Sequence, residues 1–380
     1  MVSEAIESFV LKVADDVLVD LQRRLDNTRW ASAETVGDWS QGVPLKHLQD
    51  LLHYWRHAYD WRRCEARLNQ LGQFRTRIDG VDIHFLHVRS ANPNAMPLLL
   101  THGWPGSIIE FLKVIDPLVD PQAHGGSAAD AFHLVIPSLP GYGFSSSPTG
   151  PGWGVAQIAR AWAILMERLG YESYVAQGGD WGAAVTTELG QRRPRGLLGI
   201  HLNMPLVLPE PPYDNLSDDE ARMLGAMVQY QQGQAAYAMQ QMTCPQTLGY
   251  ALADSPAGQA AWIFEKLVSW SDGDGEPGRV FSQDEVLDNI MLYWLGNKGA
   301  SSARLYWESF ADGFGARQLD LPVGCSIFPK EIYQAARSWA ERCMSQLIYW
   351  NEVERGGHFA AFEQPDLFVR EIRDCFRLLR

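Results

Sequence analysis

The residues best suited to chemistry lie in Val175-Ala176-Gln177-Gly178-Gly179-Asp180-Trp181-Gly182-Ala183-Ala184, a short apolar run that ends in a glycine-bounded turn and opens a helix. This is the form of a nucleophile elbow. Its usual sequence is G-x-S-x-G, with glycines because the strained turn is crowded against its neighbours and holds the reactive side chain above a sheet. Here the five residues are Gly178-Gly179-Asp180-Trp181-Gly182, with Asp180 where a serine would stand. A serine needs a base before it can attack, whereas an aspartate is already ionised near neutral pH and would form an anhydride if it attacked an ester. A carboxylate therefore suits displacement at a saturated carbon. The product is an alkyl ester of the enzyme, which an activated water must then cleave. Glycine and aspartate are also common in ordinary turns, so this reading depends on residues elsewhere in the chain.

The strand-like Leu98-Leu99-Leu100 runs into Thr101-His102-Gly103-Trp104-Pro105-Gly106. A loop after an early strand can supply one backbone N–H of an oxyanion hole, the other coming from the residue after the nucleophile. Those donors are assigned to Trp104 and Trp181. His102 is read as bracing its loop rather than as a base, because polar groups in such loops usually satisfy nearby backbone. Further on come Glu331, in Phe328-Pro329-Lys330-Glu331, and His358, in Arg355-Gly356-Gly357-His358-Phe359. The order nucleophile, acid, histidine is that of α/β-hydrolases. Glu331 would orient the imidazole and stabilise its charge, and His358 would take a proton from water. Asp320 is the alternative acid; Glu331 is preferred because it directly follows a strand.

These residues need a sheet to hold them. Apolar runs at 98–100, 132–137, 175–177 and 197–202 read as strands, and residues 155–169 carry helical spacing up to Gly170. Alternation of this kind predicts a parallel sheet covered on both faces, an α/β fold of the α/β-hydrolase type. After Asn203 four prolines, Pro205, Pro209, Pro211 and Pro212, mark a linker into an insertion. Residues 215–318 read as helices and predict a cap over the C-terminal edge of the sheet, where open α/β folds bind ligands. Strand character returns at 323–328 and 346–350.

The first 95 residues read mostly as helix, with Pro44 at a helix start and Leu45, Leu48, Leu52, Trp55 and Tyr59 forming a stripe. Trp30, Trp39, Trp55 and Trp61 are read as packing residues. Residues 74–88, broken at Asp79-Gly80, alternate as a hairpin would. The expected organisation is an N-terminal helical segment and hairpin packing on the core (1–95), a hydrolase core (96–204 and 319–380) and a helical cap (205–318).

The chain has 380 residues, a net charge of -13 and a pI near 5.2, a balance unsuited to a nucleic-acid groove or to anionic lipid. Small neutral substrates are the natural expectation. Five cysteines, Cys64, Cys244, Cys325, Cys343 and Cys375, contain no C-x-x-C pair and indicate neither a disulfide framework nor a zinc site. Charges interrupt every apolar run near the N-terminus, so a cytoplasmic protein without membrane attachment is expected, needing no metal and no organic cofactor. Homo-oligomerisation is allowed by the sequence but not specified by it.

Six motifs together resemble the microsomal-type epoxide hydrolase family. They are His102-Gly-Trp-Pro-Gly106, Pro140-Gly-Tyr-Gly-Phe-Ser145, Gln177-Gly-Gly-Asp-Trp-Gly182, Asp254-Ser-Pro256, Met291-Leu-Tyr-Trp294 and Arg355-Gly-Gly-His-Phe-Ala-Ala-Phe-Glu363, and the likeness covers nearly the whole chain. The resemblance implies hydrolysis of a small-molecule epoxide to a vicinal diol, with Asp180 as nucleophile and Glu331 and His358 as charge relay. It also implies that Tyr237 and Tyr306, in the cap, hydrogen-bond the epoxide oxygen; spacing alone does not select them among 13 tyrosines. The hydrophobic anchor of the family's membrane-bound members is not seen here. The chain is similar as well to soluble bacterial members, some of which act in enediyne antibiotic pathways. Two other readings fit the residues: a haloalkane dehalogenase using the same aspartate, with the Trp181 indole on the halide, and a ligand-binding protein on a hydrolase scaffold.

Overall fold

The computed structural model describes residues 5–209, 211, 213–313 and 317–380, with the side chains of 310–313 outside the description. Pro212, the last of the four linker prolines, and residues 314–316 of the expected cap therefore lie outside the described residues. Among the described residues nine strands form one sheet: β1 (Glu7–Ser8), β2 (Gln73–Ile78), β3 (Val81–Val88), β4 (Met96–Thr101), β5 (Phe132–Pro137), β6 (Tyr174–Gly178), β7 (Leu197–Leu202), β8 (Leu319–Ile327) and β9 (Met344–Glu352). Their spatial order is β1-β2-β3-β5-β4-β6-β7-β8-β9. From β5 to β9 every pairing is parallel, and β1 to β3 add an antiparallel edge.

The inner parallel strands β4, β5 and β6 are mostly apolar and buried because helices cover both faces of the sheet there. Leu98, Leu99 and Leu100 in β4, Leu134 to Ile136 in β5 and Val175 and Ala176 in β6 are fully buried. The interior position of β6 matters most for the site. Its neighbours β4 and β7 hold it on both sides, so the turn at its end rests on a rigid base.

The expected hairpin is present, turning on Asp79 and Gly80, which both have positive φ (47° and 83°), the arrangement that suits a two-residue hairpin turn. It does not lie on the core as a separate layer. Through β3 and β5 it is continuous with the core's own sheet. The preceding helices, Asp15–Asp26, Leu45–His57 and Trp61–Gln70, bury Trp55 and Trp61 as read, while Trp30 is exposed. Contacts to the insertion are direct as well: Arg63 Nη2 donates to both oxygens of Asp288 at 2.8 Å, and the Tyr59 hydroxyl donates to Asp288 at 2.7 Å. The N-terminal segment thus touches the inserted helices, which sequence periodicity gave no means of seeing.

The insertion holds helices Asp218–Gly233, Ala236–Thr243, Pro245–Asp254, Pro256–Ser269, Gln283–Trp294 and Gly299–Gly313. Capping explains several boundaries. Ser217 and Ser282 form capping boxes with Glu220 and Glu285, and Ser255 caps the helix that Pro256 begins. Among the described residues no helix is long and apolar enough to cross a membrane.

Candidate active site

Asp180 stands between the end of β6 and the helix Trp181–Arg192, with φ 50° and ψ −129°. The conformation is unusual for a residue with a side chain, and the surrounding glycines explain how it is tolerated. A Cβ on Gly178 would come within 2.0 Å of the Gly182 carbonyl oxygen, and one on Gly182 within 1.9 Å of the Thr101 carbonyl oxygen. Only backbone without side chains can pack this closely. The result is a carboxylate projecting from the C-terminal edge of the sheet.

Two backbone amides hold that carboxylate. The Trp104 N–H donates to Asp180 Oδ1 at 2.7 Å, and the Trp181 N–H also bonds the carboxylate. Burial pushes the Asp180 carboxyl above the usual carboxylate range, opposed by the neighbouring His358 and by these two amides. His102 does not approach the site as a base. Its Nδ1 lies 3.0 Å from the Gly103 carbonyl and its Nε2 accepts from the Leu139 N–H at 3.2 Å, so one tautomer braces both loops. Burial depresses its pKa to about 4.

Glu331 follows β8 and His358 follows β9, so parallel neighbours deliver both to the same edge. His358 Nδ1 is 2.6 Å from Glu331 Oε1, which also accepts from the Ile332 N–H at 2.8 Å. On its other side, His358 Nε2 is 3.6 Å from Asp180 Oδ2. Burial opposes the imidazolium, but the charge and hydrogen bond of Glu331 and the charge of Asp180 outweigh it and raise the His358 pKa to about 9. Asp320, the alternative acid, is placed elsewhere. It sits at the N-terminal end of β8, exposed and paired with Arg193 at 3.1 Å.

A cavity of about 280 Å³ opens over Asp180, lined mostly by apolar groups such as Met204, Leu206, Met227 and Ile332. Tyr237 and Tyr306 form part of its wall, both almost completely buried. Burial raises both phenols well above their ordinary pKa, so they are present as O–H donors. A second, smaller chamber of about 20 Å³ touches Asp180, His358, Gly179, Asn203 and Glu110. Its volume matches a single water.

Sequence reasoning passed over several residues here. Glu110, whose carboxyl burial pushes up to about 8, borders the small chamber; its signal was an acid within the apolar run Ile108-Ile109-Glu110-Phe111. Glu363 was noticed only as part of a motif. Its carboxylate accepts from the N–H groups of Asp272 (2.8 Å), Gly357 (3.1 Å) and Phe359 (2.8 Å), which clamps the His358 loop to the connection between the inserted helices Pro256–Ser269 and Gln283–Trp294. Tyr230, whose hydroxyl is 2.7 Å from that of Tyr237, had no signal at all.

The family model described as epoxide hydrolase N terminus matches residues 6–111, and that of the alpha/beta hydrolase fold matches residues 96–254. A putative epoxide hydrolase of Stigmatella aurantiaca is 59% identical over 99% of this chain and 86% of its own length. Epoxide hydrolase 1 of Oryctolagus cuniculus is 37% identical over 97% of this chain and 88% of its own. The crystal structure of juvenile hormone epoxide hydrolase from Bombyx mori superimposes with a TM-score of 0.91 at 30% identity, covering 100% of this chain and 95% of that one. Identity at this level over whole chains, on the fold just described, carries more than a shared scaffold: the chain belongs to the microsomal-type epoxide hydrolase family that its motifs resemble.

Proposed function

We propose that this protein opens a lipophilic epoxide to a vicinal diol in two chemical steps, with Asp180 as the nucleophile. The reading is carried by one arrangement: a buried carboxylate at an elbow, with two phenols in the wall of the apolar cavity above it and an imidazole 3.6 Å to its side. In the first step an Asp180 oxygen attacks a ring carbon. The C–O bond breaks, and Tyr237 and Tyr306 meet the charge developing on the oxygen. In the second step His358, oriented by Glu331, takes a proton from water as the hydroxide adds to the ester carbonyl. The Trp104 and Trp181 amides then stabilise the tetrahedral oxyanion.

The charge arrangement supports this order of events. The Glu331 and Asp180 charges favour the protonated imidazole before the substrate reacts, which opposes its acting as a base at that stage. Esterification turns Asp180 into a neutral group, removing one of the charges that hold the imidazolium. Loss of that charge favours the neutral, basic imidazole at the ester stage, while Glu331 continues to orient the ring. The apolar cavity favours an uncharged, hydrophobic substrate over a polar one.

Two buried phenols beside the nucleophile suit a leaving alkoxide, which needs a proton, better than a leaving halide, which does not. A single turnover in oxygen-18 water with excess enzyme tests the proposal. The first diol should carry an unlabelled new hydroxyl derived from Asp180, while label enters the protein. A fully labelled first diol would mean direct attack by water. Chloride release from haloalkanes without epoxide turnover would favour the dehalogenase reading.

A further inference from the structure

The motif Met291-Leu-Tyr-Trp294 lies in the inserted helix Gln283–Trp294, outside the wall of the apolar cavity, yet its tyrosine reaches the loop that follows β4. The Tyr293 hydroxyl donates to the Gly106 carbonyl at 2.7 Å. Asn289, one turn earlier on the same face of the helix, donates from Nδ2 to the Pro105 carbonyl at 2.8 Å and accepts from the Ser107 hydroxyl at 2.7 Å. Both side chains are almost completely buried. Two residues of one helix thus grip three consecutive residues of the loop.

Those three residues follow Trp104, whose N–H donates to Asp180 Oδ1 at 2.7 Å. The peptide that carries this N–H is planar, and the Gly103 carbonyl on its opposite side lies 3.0 Å from His102 Nδ1. The core therefore holds the peptide from its N-terminal side. On the C-terminal side the ring of Pro105 fixes its own φ, so an anchored Pro105 carbonyl leaves few torsions by which Trp104 could turn its amide away. The helix that supplies the anchor is itself fixed from outside. Asp288, next to Asn289, accepts from the Tyr59 hydroxyl at 2.7 Å and from Arg63 Nη2 at 2.8 Å, and Asp284, one turn earlier, accepts from the Tyr54 hydroxyl at 3.0 Å.

We propose that Asn289 and Tyr293 are positioning residues for the oxyanion hole, holding the backbone of residues 105–107 so that the Trp104 N–H stays aimed at Asp180, and that the N-terminal segment acts on catalysis by fixing their helix through Asp288. This role rests on the two-step reading above, in which the Trp104 amide serves twice. Before the reaction it helps to keep Asp180 ionised, and during ester hydrolysis it meets the tetrahedral oxyanion. A loop without its anchor weakens both. Loss of the amide's hydrogen bond raises the Asp180 pKa further, so ester formation, which needs the carboxylate, falls off at a higher pH as the solution is acidified.

Rapid-quench mass spectrometry with enzyme in excess over styrene oxide measures ester formation across pH and the decay of the ester afterwards. Tyr293→Phe removes only the hydroxyl, and Asn289→Leu replaces the amide by an apolar group of similar size. Each should slow ester hydrolysis about tenfold, part of the roughly 100-fold loss that follows outright deletion of an oxyanion donor. Each should also move the acid limb of ester formation to higher pH. Arg63→Gln, at a partly exposed side chain, loosens only the outer link and should shift both quantities in the same direction by a smaller factor. Wild-type hydrolysis and an unmoved limb in Tyr293→Phe would overturn the proposal, whether or not Asn289→Leu folds. Slower rates and a lower melting temperature with the limb unmoved would overturn it as well, because a merely structural defect leaves the ionisation of Asp180 where it was. Wild-type behaviour of Arg63→Gln would overturn the part given to the N-terminal segment. Absence of any covalent ester in the wild-type protein would instead remove the two-step reading itself.

Discussion

His358 Nε2 lies 3.6 Å from Asp180 Oδ2, close enough for the imidazole to feel the carboxylate's charge and too far for a good hydrogen bond between them. The Asp180 lone pair is therefore not tied up by the imidazole. The Asp180 charge, after that of Glu331, favours the protonated form of the ring.

Replacing Asp180 by Asn imitates the loss of charge that esterification brings about. With a negative neighbour gone, the imidazolium is less favoured, so the His358 pKa should fall below the wild-type value of about 9. Titration of the His358 ring by NMR in both proteins measures the change, with the mass of the variant checked for deamidation. An unchanged or higher pKa would contradict charge coupling between these two residues.

How far the sequence could reveal this site depends on the kind of constraint involved. Asp180 was legible as a candidate because the strained turn, where a Cβ added at Gly178 or Gly182 would come within 2.0 Å of backbone oxygen, admits glycine and little else at those positions, and that demand is written in consecutive residues. Glu331 and His358 were legible because each follows a strand of a parallel sheet, whose C-terminal edge gathers such residues. The roles proposed for Tyr237 and Tyr306 rest on family likeness, since helices of the insertion bring them to the cavity by packing that no periodicity encodes. The charge environment of His358 was not legible at all. It arises from two carboxylates more than 25 positions away along the chain that meet only in the fold.

Gly103→Ala should inactivate the protein without unfolding it. A Cβ at this position would lie 2.1 Å from Asp180 Oδ1 and 2.4 Å from Asp180 Cβ, so the nucleophile itself must move. Displacement of a reacting group by about 1 Å can cost on the order of 100-fold in rate. Gly182→Ala should behave differently, because its Cβ would meet the Thr101 backbone at 1.9 Å and must distort the elbow and the loop together. Thermal melts beside ester-formation rates separate the two; wild-type activity in Gly103→Ala would show that Asp180 is not held as described.

Glu363 should matter for the second step more than for the first. Glu363→Gln keeps the size of the side chain but must turn an NH₂ group toward at least one of the three N–H donors that the carboxylate accepts. A buried donor left unpaired costs about 1–3 kcal/mol, and the His358 loop should loosen. Stability should fall, ester hydrolysis should slow, and ester formation should be largely preserved. If ester formation slowed as much as hydrolysis, the clamp would serve the whole site rather than the histidine loop.

The most direct separation of the two steps comes from His358→Ala. Asp180 needs no base to attack, so ester formation should continue, while water loses the group that activates it. The ester should accumulate. Intact-protein mass spectrometry after mixing with an epoxide should show an adduct equal to the whole substrate mass, because ring opening expels no fragment; a dehalogenase adduct would lack the halogen. The adduct should map to the peptide containing Asp180 and should be absent from the Asp180→Asn, His358→Ala double mutant. Removal of the imidazole also deletes a positive charge beside Asp180, one of the influences that keep its carboxyl ionised. The rate of ester formation in the single variant should therefore decline at a higher pH than in the wild type as the solution is acidified. Rapid diol production by His358→Ala would contradict the base assignment, and an adduct on any other residue would contradict the assignment of the nucleophile.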